Sequence, residues 1–320
     1  MKLYIDNKHS DNSISYFFSS LEECIGRIPG ISMASHKEAD VILCGPTSPV
    51  AAKWMRHKTV IQRLDGIYFN SETPEVTKSR NEAIAAVYRR ASGVIFQSQY
   101  SKNMVEAAIG KCGRHAIILN GVLMKQKYAD RAIRKFPAIA AMREDGIKVL
   151  LSAAAWRPVK RMNTLFAGFE EYKIKNPNTV LVVAGKSKQA LPSGVISVGE
   201  LDHTNMMSLY FLCDLLINLS FSDACPNVVV EALGAKKPIL ASSNQGSAEV
   251  YQGNGYIIEE PINWEFEQIA YSKMNQIPPE IVANGIEQAI SIGYNKEIDV
   301  SMDACAQKYV KFFRKFARNT

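Results

Sequence analysis

The run Ser220-Phe-Ser-Asp223-Ala-Cys-Pro226-Asn227-Val228-Val-Val-Glu231 places two carboxylates, with seven residues between them, around a single proline. The preceding Leu215 to Leu219 reads as a strand whose C-terminal end delivers Asp223, and Pro226 suits the first turn of a helix. Free backbone amides at such a helix start, together with its dipole, favour a diphosphate. Asp223 and Glu231 can each accept hydrogen bonds from several hydroxyls at once. An ordinary alternative stands beside this chemistry: Asp223 as a helix N-cap and Glu231 as a solvated helix position.

Two other phosphate chemistries fail on spacing. Gly185-Lys186-Ser187 follows a strand, but a phosphate-binding P-loop needs a glycine five residues before Gly185, and Val180 stands there. No Gly-x-Gly-x-x-Gly joins a strand to a helix, which argues against a nicotinamide enzyme. Cys112 and His115 have a ligand-like gap without a second pair nearby, and the chain contains no Asp-x-Asp, so no metal is expected.

The elements that must position these residues form two series. Short β-branched or apolar runs alternate with helix-like stretches, the pattern of parallel sheets with crossover helices. Strands are predicted at Lys2 to Ile5, Val41 to Cys44, Thr59 to Arg63, Gly93 to Gln97 and Ala116 to Asn120, with helices over Ser13 to Ile28 and Asn81 to Ala91. The series restarts with Lys148 to Ser152, Val180 to Gly185, Val195 to Val198, Leu215 to Leu219 and Pro238 to Ser242. Asn120-Gly121 reads as a turn closing the first series, residues 123–146 as a linker with a local helix, and Gly253-Asn254-Gly255 as a turn. From Ser301 onward, Cys305, Tyr309, Phe312, Phe313 and Phe316 share one helical face while most basic residues lie elsewhere. The expected division is a first domain with linker at residues 1–140, a second at 141–300 and an amphipathic helix at 301–320.

The acidic pattern, followed by Pro238-Ile239, resembles the nucleotide-sugar signature of the retaining glycosyltransferases of family 4, in a subgroup with Asp-Ala-Cys-Pro-Asn-x-x-x-Glu-Ala. Leu150 to Lys160, Gly199-Glu200-Leu201, Gln62-Arg63-Leu64-Asp65-Gly66, Tyr88 to Ser98 and Asn120-Gly121-Val122 are similar to further stretches of that family, in order. The resemblance implies the GT-B fold: two Rossmann-like domains facing across a cleft, the final helix returning to the first. It implies transfer of a sugar from a nucleotide-diphosphate-sugar to an acceptor hydroxyl, with retention and without a metal, the donor being a substrate and no cofactor being needed.

Carried over by position, the resemblance gives Glu231 the ribose hydroxyls and Asp223 the donor sugar. Pro226, Asn227 and Val228 form the helix start, and Gly199 and Leu201 meet the base. Arg157 and Lys160 would stabilise the leaving diphosphate; Ala155 stands where many relatives place an arginine, so Arg157 substitutes from a shifted position. Asp65 and Gly66 end a strand of the first domain, where a catalytic role and a structural turn are both open. Asp6-Asn7-Lys8 replaces the glycine-rich loop that many relatives carry. Two other classes remain beside this one: a pyridoxal-dependent phosphorylase, for which no lysine context speaks, and a non-catalytic nucleotide-sugar or glycan binding protein.

With 320 residues and 47% apolar content the chain can build two cores. No apolar run reaches bilayer length, and the opening residues read as a strand, so a cytoplasmic location is expected. Six scattered cysteines suggest reduced, mostly buried thiols. The net charge of +7 is uneven: residues 1–140 carry +8, residues 141–300 carry −5 and the last twenty +4. This asymmetry fits either a generally basic soluble surface or an anionic partner on the N-terminal side, the latter a phosphate-bearing glycan or lipid-linked acceptor or the membrane surface presenting it. Nucleic acid is not among the expected partners.

Overall fold

The computed structural model describes residues 1–6, 13–68, 74–261, 274 and 276–316. Asn7 and Lys8 of the expected loop, and Arg318, lie outside these. The chain forms two compact units, the first running to Leu123 and resuming at Val300, the second occupying most of the chain between.

The first unit is a six-stranded parallel sheet ordered β2-β1-β3-β4-β5-β6, with β1 at Lys2–Asp6, β2 at Ser32–Met33, β3 at Val41–Cys44, β4 at Thr59–Leu64, β5 at Gly93–Phe96 and β6 at His115–Ile117. Strand side chains alternate faces. Leu3, Ile5, Val41, Leu43, Ile61 and Ile95 pack under α1 (Ser13–Ile25) and α12 (Met302–Arg314). The alternate set packs on the other face, Ile42 and Val60 with Ala51 of α2 (Pro49–Trp54), and Val94 and Phe96 with Ile84 of α3 (Pro74–Tyr88) and Val105 of α4 (Gln99–Ile109). Burial on both faces explains why the strands read as continuous apolar runs.

The C-terminal helix therefore belongs to the first unit, as expected. Ser301 caps it by accepting from the Ala304 amide at 3.1 Å, and Val122 is stitched to its start by bonds to Val300 and Met302 of 2.8 and 2.9 Å. Gly121 is not a turn residue but the contact point: a Cβ there would lie 2.7 Å from the Ser301 carbonyl oxygen and 2.8 Å from Cys305 Cβ.

After Val122 the chain forms two helices rather than a linker with one: α5 (Gln126–Lys135) and α6 (Pro137–Glu144). Pro137 can open a helix but not continue one, hence the break at Phe136. Both pack on the second unit, α5 against α8 (His203–Leu209) with Arg131 donating to Asn205 at 2.9 Å. The boundary thus falls at residue 123 rather than 140.

The second unit is a six-stranded parallel sheet ordered β12-β11-β10-β7-β8-β9. Its strands are β7 Lys148–Ala153, β8 Thr179–Ala184, β9 Val195–Gly199, β10 Leu215–Asn218, β11 Ile239–Ser242 and β12 Gly255–Ile258. The last follows the predicted glycine turn and was not expected. Helices α7 (Met162–Lys175), α9 (Asn227–Gly234), α10 (Ser247–Val250) and α11 (Pro279–Ile292) complete it. Leu150, Leu181, Leu215 and Leu240 meet Phe166 and Phe169 of α7 and Val282 and Ile286 of α11 in one core.

Burial pushes the thiols of Cys44, Cys213 and Cys305 up to about 12, so these cysteines behave as small apolar residues. Helices α7 and α11 meet at Gly168, where a Cβ would lie 2.3 Å from Val282 Cγ1 and 2.4 Å from its Cβ. Gly168→Ala is expected to destabilise the protein by about 1 to 3 kcal/mol through overpacking against a stiff β-branched side chain. That is opposite in sign to the gain of about 1 kcal/mol which alanine brings to an unhindered helix. Gly113, whose Cβ would meet nothing within 4 Å, supplies the control. Thermal unfolding checks the pair: Gly168→Ala should melt earlier and Gly113→Ala should melt with the wild type.

Candidate functional site

In the second sheet β7 and β10 are neighbours, Leu150 facing Leu215 and Leu151 facing Leu216. The chain leaves β7 towards β8 on one side and leaves β10 towards β11 on the other. At such a reversal the two departing loops diverge, and a crevice opens at the C-terminal edge where parallel sheets take their ligands. The loop after β7 carries Arg157 and Lys160; that after β10 carries Asp223 and leads to Pro226.

Across this point Lys160 Nζ donates to Asp223 Oδ2 at 2.7 Å and to Ser220 Oγ at 3.2 Å. Lys160 is largely buried, in a short 3-10 turn at Pro158–Lys160, rather than an exposed lysine opening a helix. The next residue holds it there. Arg161 sits at φ 53°, in the left-handed region, and its guanidinium makes two bonds of 2.8 Å to Glu260 after β12. Both partners are buried, 1% and 6% exposed, so the pair stands in a low dielectric with two-pronged geometry. Phe221 lies under the Arg161 guanidinium at 5.1 Å and its amide donates to the Val159 carbonyl at 2.8 Å. The loops after β7, β10 and β12 are thereby tied into one rim.

Helix α9 begins at Asn227 with Pro226 in the cap position and no side-chain cap. The alternative reading of Asp223 as that cap is overturned: its carboxylate is turned to Lys160. Asn227 and Val228 are partly exposed in the first turn. Glu231, one turn on, is not the solvated position of the ordinary alternative either. Burial raises its carboxyl above the usual range, offset in part by Tyr210, whose hydroxyl donates to Oε2 at 2.8 Å. Glu231 has no cation partner among the described residues. It is a carboxylate with unused acceptor capacity beside an uncapped helix start.

Arg157 is exposed and forms no side-chain hydrogen bond or ion pair among the described residues. Its loop is anchored by Trp156, whose indole donates to the Ala184 carbonyl at 3.0 Å. Gly199 ends β9 at φ 69°, with nothing within 4 Å of where a Cβ would stand, and the Gly185 amide donates to its carbonyl at 2.7 Å. Leu201 follows it, partly exposed. Gly199 and Leu201 share the C-terminal edge with Lys160 and Asp223 but lie two strands out from β7.

Asp65 and Gly66 occupy the corresponding edge of the first unit. Arg63, 2% exposed, donates from Nη1 to Asp65 at 2.5 Å and from Nη2 to Asn120 at 2.9 Å; Asn120 donates to Gln97 at 2.8 Å, and Gln97 closes the ring on Asp65. Arg63 also stacks 4.1 Å from the Phe17 ring. Asp65 is therefore the counter-ion of a buried arginine and the ring's most open member, one third exposed. Gly66 has φ 143°, and a Cβ would lie 2.8 Å from Met104 Sδ.

Sequence reasoning passed over Tyr210, Ser220, Arg161 and Glu260. Tyr210 lies 21 residues before its partner and Arg161 lies 99 before its own, so no local spacing could reveal them. Among the described residues no three His, Cys, Asp or Glu side chains converge as metal ligands.

Residues 140–268 match the family model described as Glycosyl transferases group 1. Among solved structures, HepE from Anabaena in complex with UDP-glucose superposes with a TM-score of 0.64 at 16% identity, over 98% of this chain and 99% of that one. Sucrose-phosphate synthase from Thermosynechococcus elongatus gives 0.61 at 16% identity, over 96% and 84%. A UDP-forming trehalose-phosphate synthase from Burkholderia xenovorans gives 0.60 at 12% identity, over 97% and 81%. At these identities the likeness speaks for the fold, which is GT-B with two Rossmann-like domains, and the group 1 glycosyl transferase match spans the second sheet together with Arg157, Lys160, Asp223 and Glu231.

Proposed function

We propose that the protein is a glycosyltransferase that moves a sugar from a nucleotide-diphosphate-sugar to an acceptor hydroxyl, with retention of configuration and by positive protein groups rather than a metal. The observation that carries the reading is the grouping of Lys160, Asp223, the uncapped start of α9 and Glu231 at the switch point of the second sheet. Breaking the bond between the anomeric carbon and the phosphate oxygen builds negative charge on the diphosphate. Lys160, Arg157 and the α9 amides are the groups to receive it. Asp223 accepts hydroxyls of the sugar, and Glu231 accepts those of the ribose. The acceptor attacks from the face the diphosphate leaves, and its proton passes to a diphosphate oxygen. UDP-sugars are the first donors to test, since HepE and the trehalose-phosphate synthase are described with UDP-glucose or as UDP-forming.

A thermal-shift screen of nucleotide sugars, followed by assay of nucleoside diphosphate release with and without acceptor glycans, tests the reading. Release with product formation supports it. Donor binding with no release under any condition would instead make this a binding protein.

Glu231→Ala should weaken donor binding by about 1.5 to 3 kcal/mol, the range for hydrogen bonds to a charged group. Tyr210→Phe should cost about 1 kcal/mol, because it removes one neutral donor and leaves the carboxylate to reorient. Donor titration by calorimetry measures both, and unchanged affinity in Glu231→Ala would remove Glu231 from the site. Lys160→Ala should depress kcat more than it raises KM, because its charge meets the leaving group as negative charge develops. A raised KM at unchanged kcat would make it a uniform binding residue.

Glu231 also couples function to stability. Its carboxyl is raised in the folded protein, so the folded state binds the proton more tightly than the unfolded chain and loses stability as pH rises through the folded value. Glu231→Gln should therefore raise the melting temperature at neutral pH, and the gain should vanish as pH falls below the ordinary carboxylate range. A gain that is independent of pH would contradict this linkage.

A further inference from the structure

We propose that the N-terminal edge of the first sheet, from β4 to β6 together with the end of α12, is a docking surface for an anionic lipid bilayer. Three turns lead into β4, β5 and β6 along this edge, and all three are basic. They carry Arg56, Arg89 with Arg90, and Arg114, each exposed, and none of the three turns contains an Asp or Glu. The end of α12 joins them: a Cβ on Gly93 at the start of β5 would lie 2.6 Å from Phe316, and the Arg114 guanidinium lies 5.5 Å from that ring. Arg314 and Lys315 beside it are exposed, with Lys315 5.7 Å from the Phe312 ring. None of these six basic side chains forms an ion pair among the described residues.

Helix dipoles alone do not account for this. In a parallel α/β sheet every crossover helix ends at this edge, where basic residues complement its negative end. The second unit has the same construction and serves as an internal control. There Glu144 at the end of α6 and Asp145 stand beside the exposed Lys148 that opens β7, Lys175 ends α7 before β8, and Asp214 before β10 is paired with Arg143 at 3.1 Å. Its basic pair before β11, Lys236 and Lys237, is offset by a 2.7 Å bond from Lys236 to Glu297. The corresponding helix ends of the second unit thus mix both signs, whereas the turns into β4, β5 and β6 carry one sign only, and that excess calls for a partner.

The edge also lies opposite the one that holds Asp65 and Arg63, so the described positive charge is not gathered around a small substrate. It spreads over neighbouring strand ends about 4.8 Å apart, with a half-buried phenylalanine among arginines whose long stems can lie along a headgroup layer. Such a spread matches a charged plane, and each basic group near an anionic leaflet adds to the attraction. The surface is independent of the donor chemistry proposed above.

Co-sedimentation with vesicles of equal parts phosphatidylcholine and phosphatidylglycerol, against phosphatidylcholine alone, tests it. The wild type should bind the anionic vesicles at low salt, release as salt rises, and ignore neutral ones. The triple variant R89Q/R90Q/R114Q should lose binding on the order of a hundredfold. R89K/R90K/R114K, which keeps the charge, should retain it and guards against a folding artefact. The control K148Q/K175Q/K188Q, equal in charge change but on the second unit, should bind as the wild type. Nucleoside diphosphate release without vesicles should be unchanged in R89Q/R90Q/R114Q, which separates this surface from the donor site. No wild-type binding to anionic vesicles at low salt, or equal loss in both glutamine triples, overturns the proposal. So does retention on a DNA duplex or polyphosphate without vesicle binding, which would hand the edge to a soluble polyanion.

Discussion

Everything at the C-terminal edge of the second sheet depends on two parallel strands lying side by side while their connections run in opposite directions. Because β7 pairs with β10, the loops that follow them diverge and leave a crevice at the edge, bridged where Lys160 meets Asp223 and Ser220 and where the Phe221 amide meets the Val159 carbonyl. That space needs a rim of fixed shape. The buried pair of Arg161 and Glu260 provides it, since it ties the β7 loop to the far side of the sheet and leaves Lys160, one residue earlier, directed at Asp223. A buried ion pair adds little net stability against an apolar replacement. Its contribution here is geometric: two bonds of 2.8 Å allow one orientation of the loop, which a pair of leucines would not enforce.

The first unit uses a second buried arginine in the same way. Arg63 reaches the C-terminal edge of its sheet, and the ring through Asp65, Gln97 and Asn120 joins the ends of β4 and β5 to the segment after β6. Desolvating a guanidinium is costly unless charge and hydrogen bonds surround it, and stacking on Phe17 adds a further contact. The two units therefore place a positive group behind a carboxylate at the C-terminal edge of each sheet. In the second unit Asp223 faces Lys160 and Glu260 faces Arg161, whereas Glu231 has no cation partner among the described residues.

The sequence made the architecture readable because periodicity is local. Runs such as Val41–Cys44 and Leu215–Asn218 are apolar at successive positions and emerged close to their predicted bounds. Two strands were missed for physical reasons: Ser32–Met33 is too short to show alternation, and Gly255–Ile258 begins at a glycine that reads as turn. The carboxylates Asp223 and Glu231 were visible through their spacing around Pro226, yet their surroundings were not. Whether Glu231 is solvated or backed by Tyr210, and whether Asp223 caps a helix or meets Lys160, are decided by partners on other elements. Asn120-Gly121 shows the same limit, because the glycine answers to the arrival of a helix from the far end of the chain.

That helix links the chain's order to its construction. Met302, Cys305, Tyr309, Phe312 and Phe313 lie in the same core as Leu3, Leu43 and Ile61, so one face of the first sheet is only partly covered, by α1, until the last segment arrives. Almost all of the second unit lies between Val122 and Ser301, the two ends of the bridge that seats it. Closing so long a loop costs only slowly growing entropy once the intervening unit has folded and brought its ends together. The second unit, with Gly168 against Val282 holding α7 to α11, can form its core without residues from the first. The amphipathic pattern of α12 is what makes its return specific. The apolar face must be buried against α1, and the opposite face then carries Lys308 and Lys311 outward, with Arg314 and Lys315 beyond.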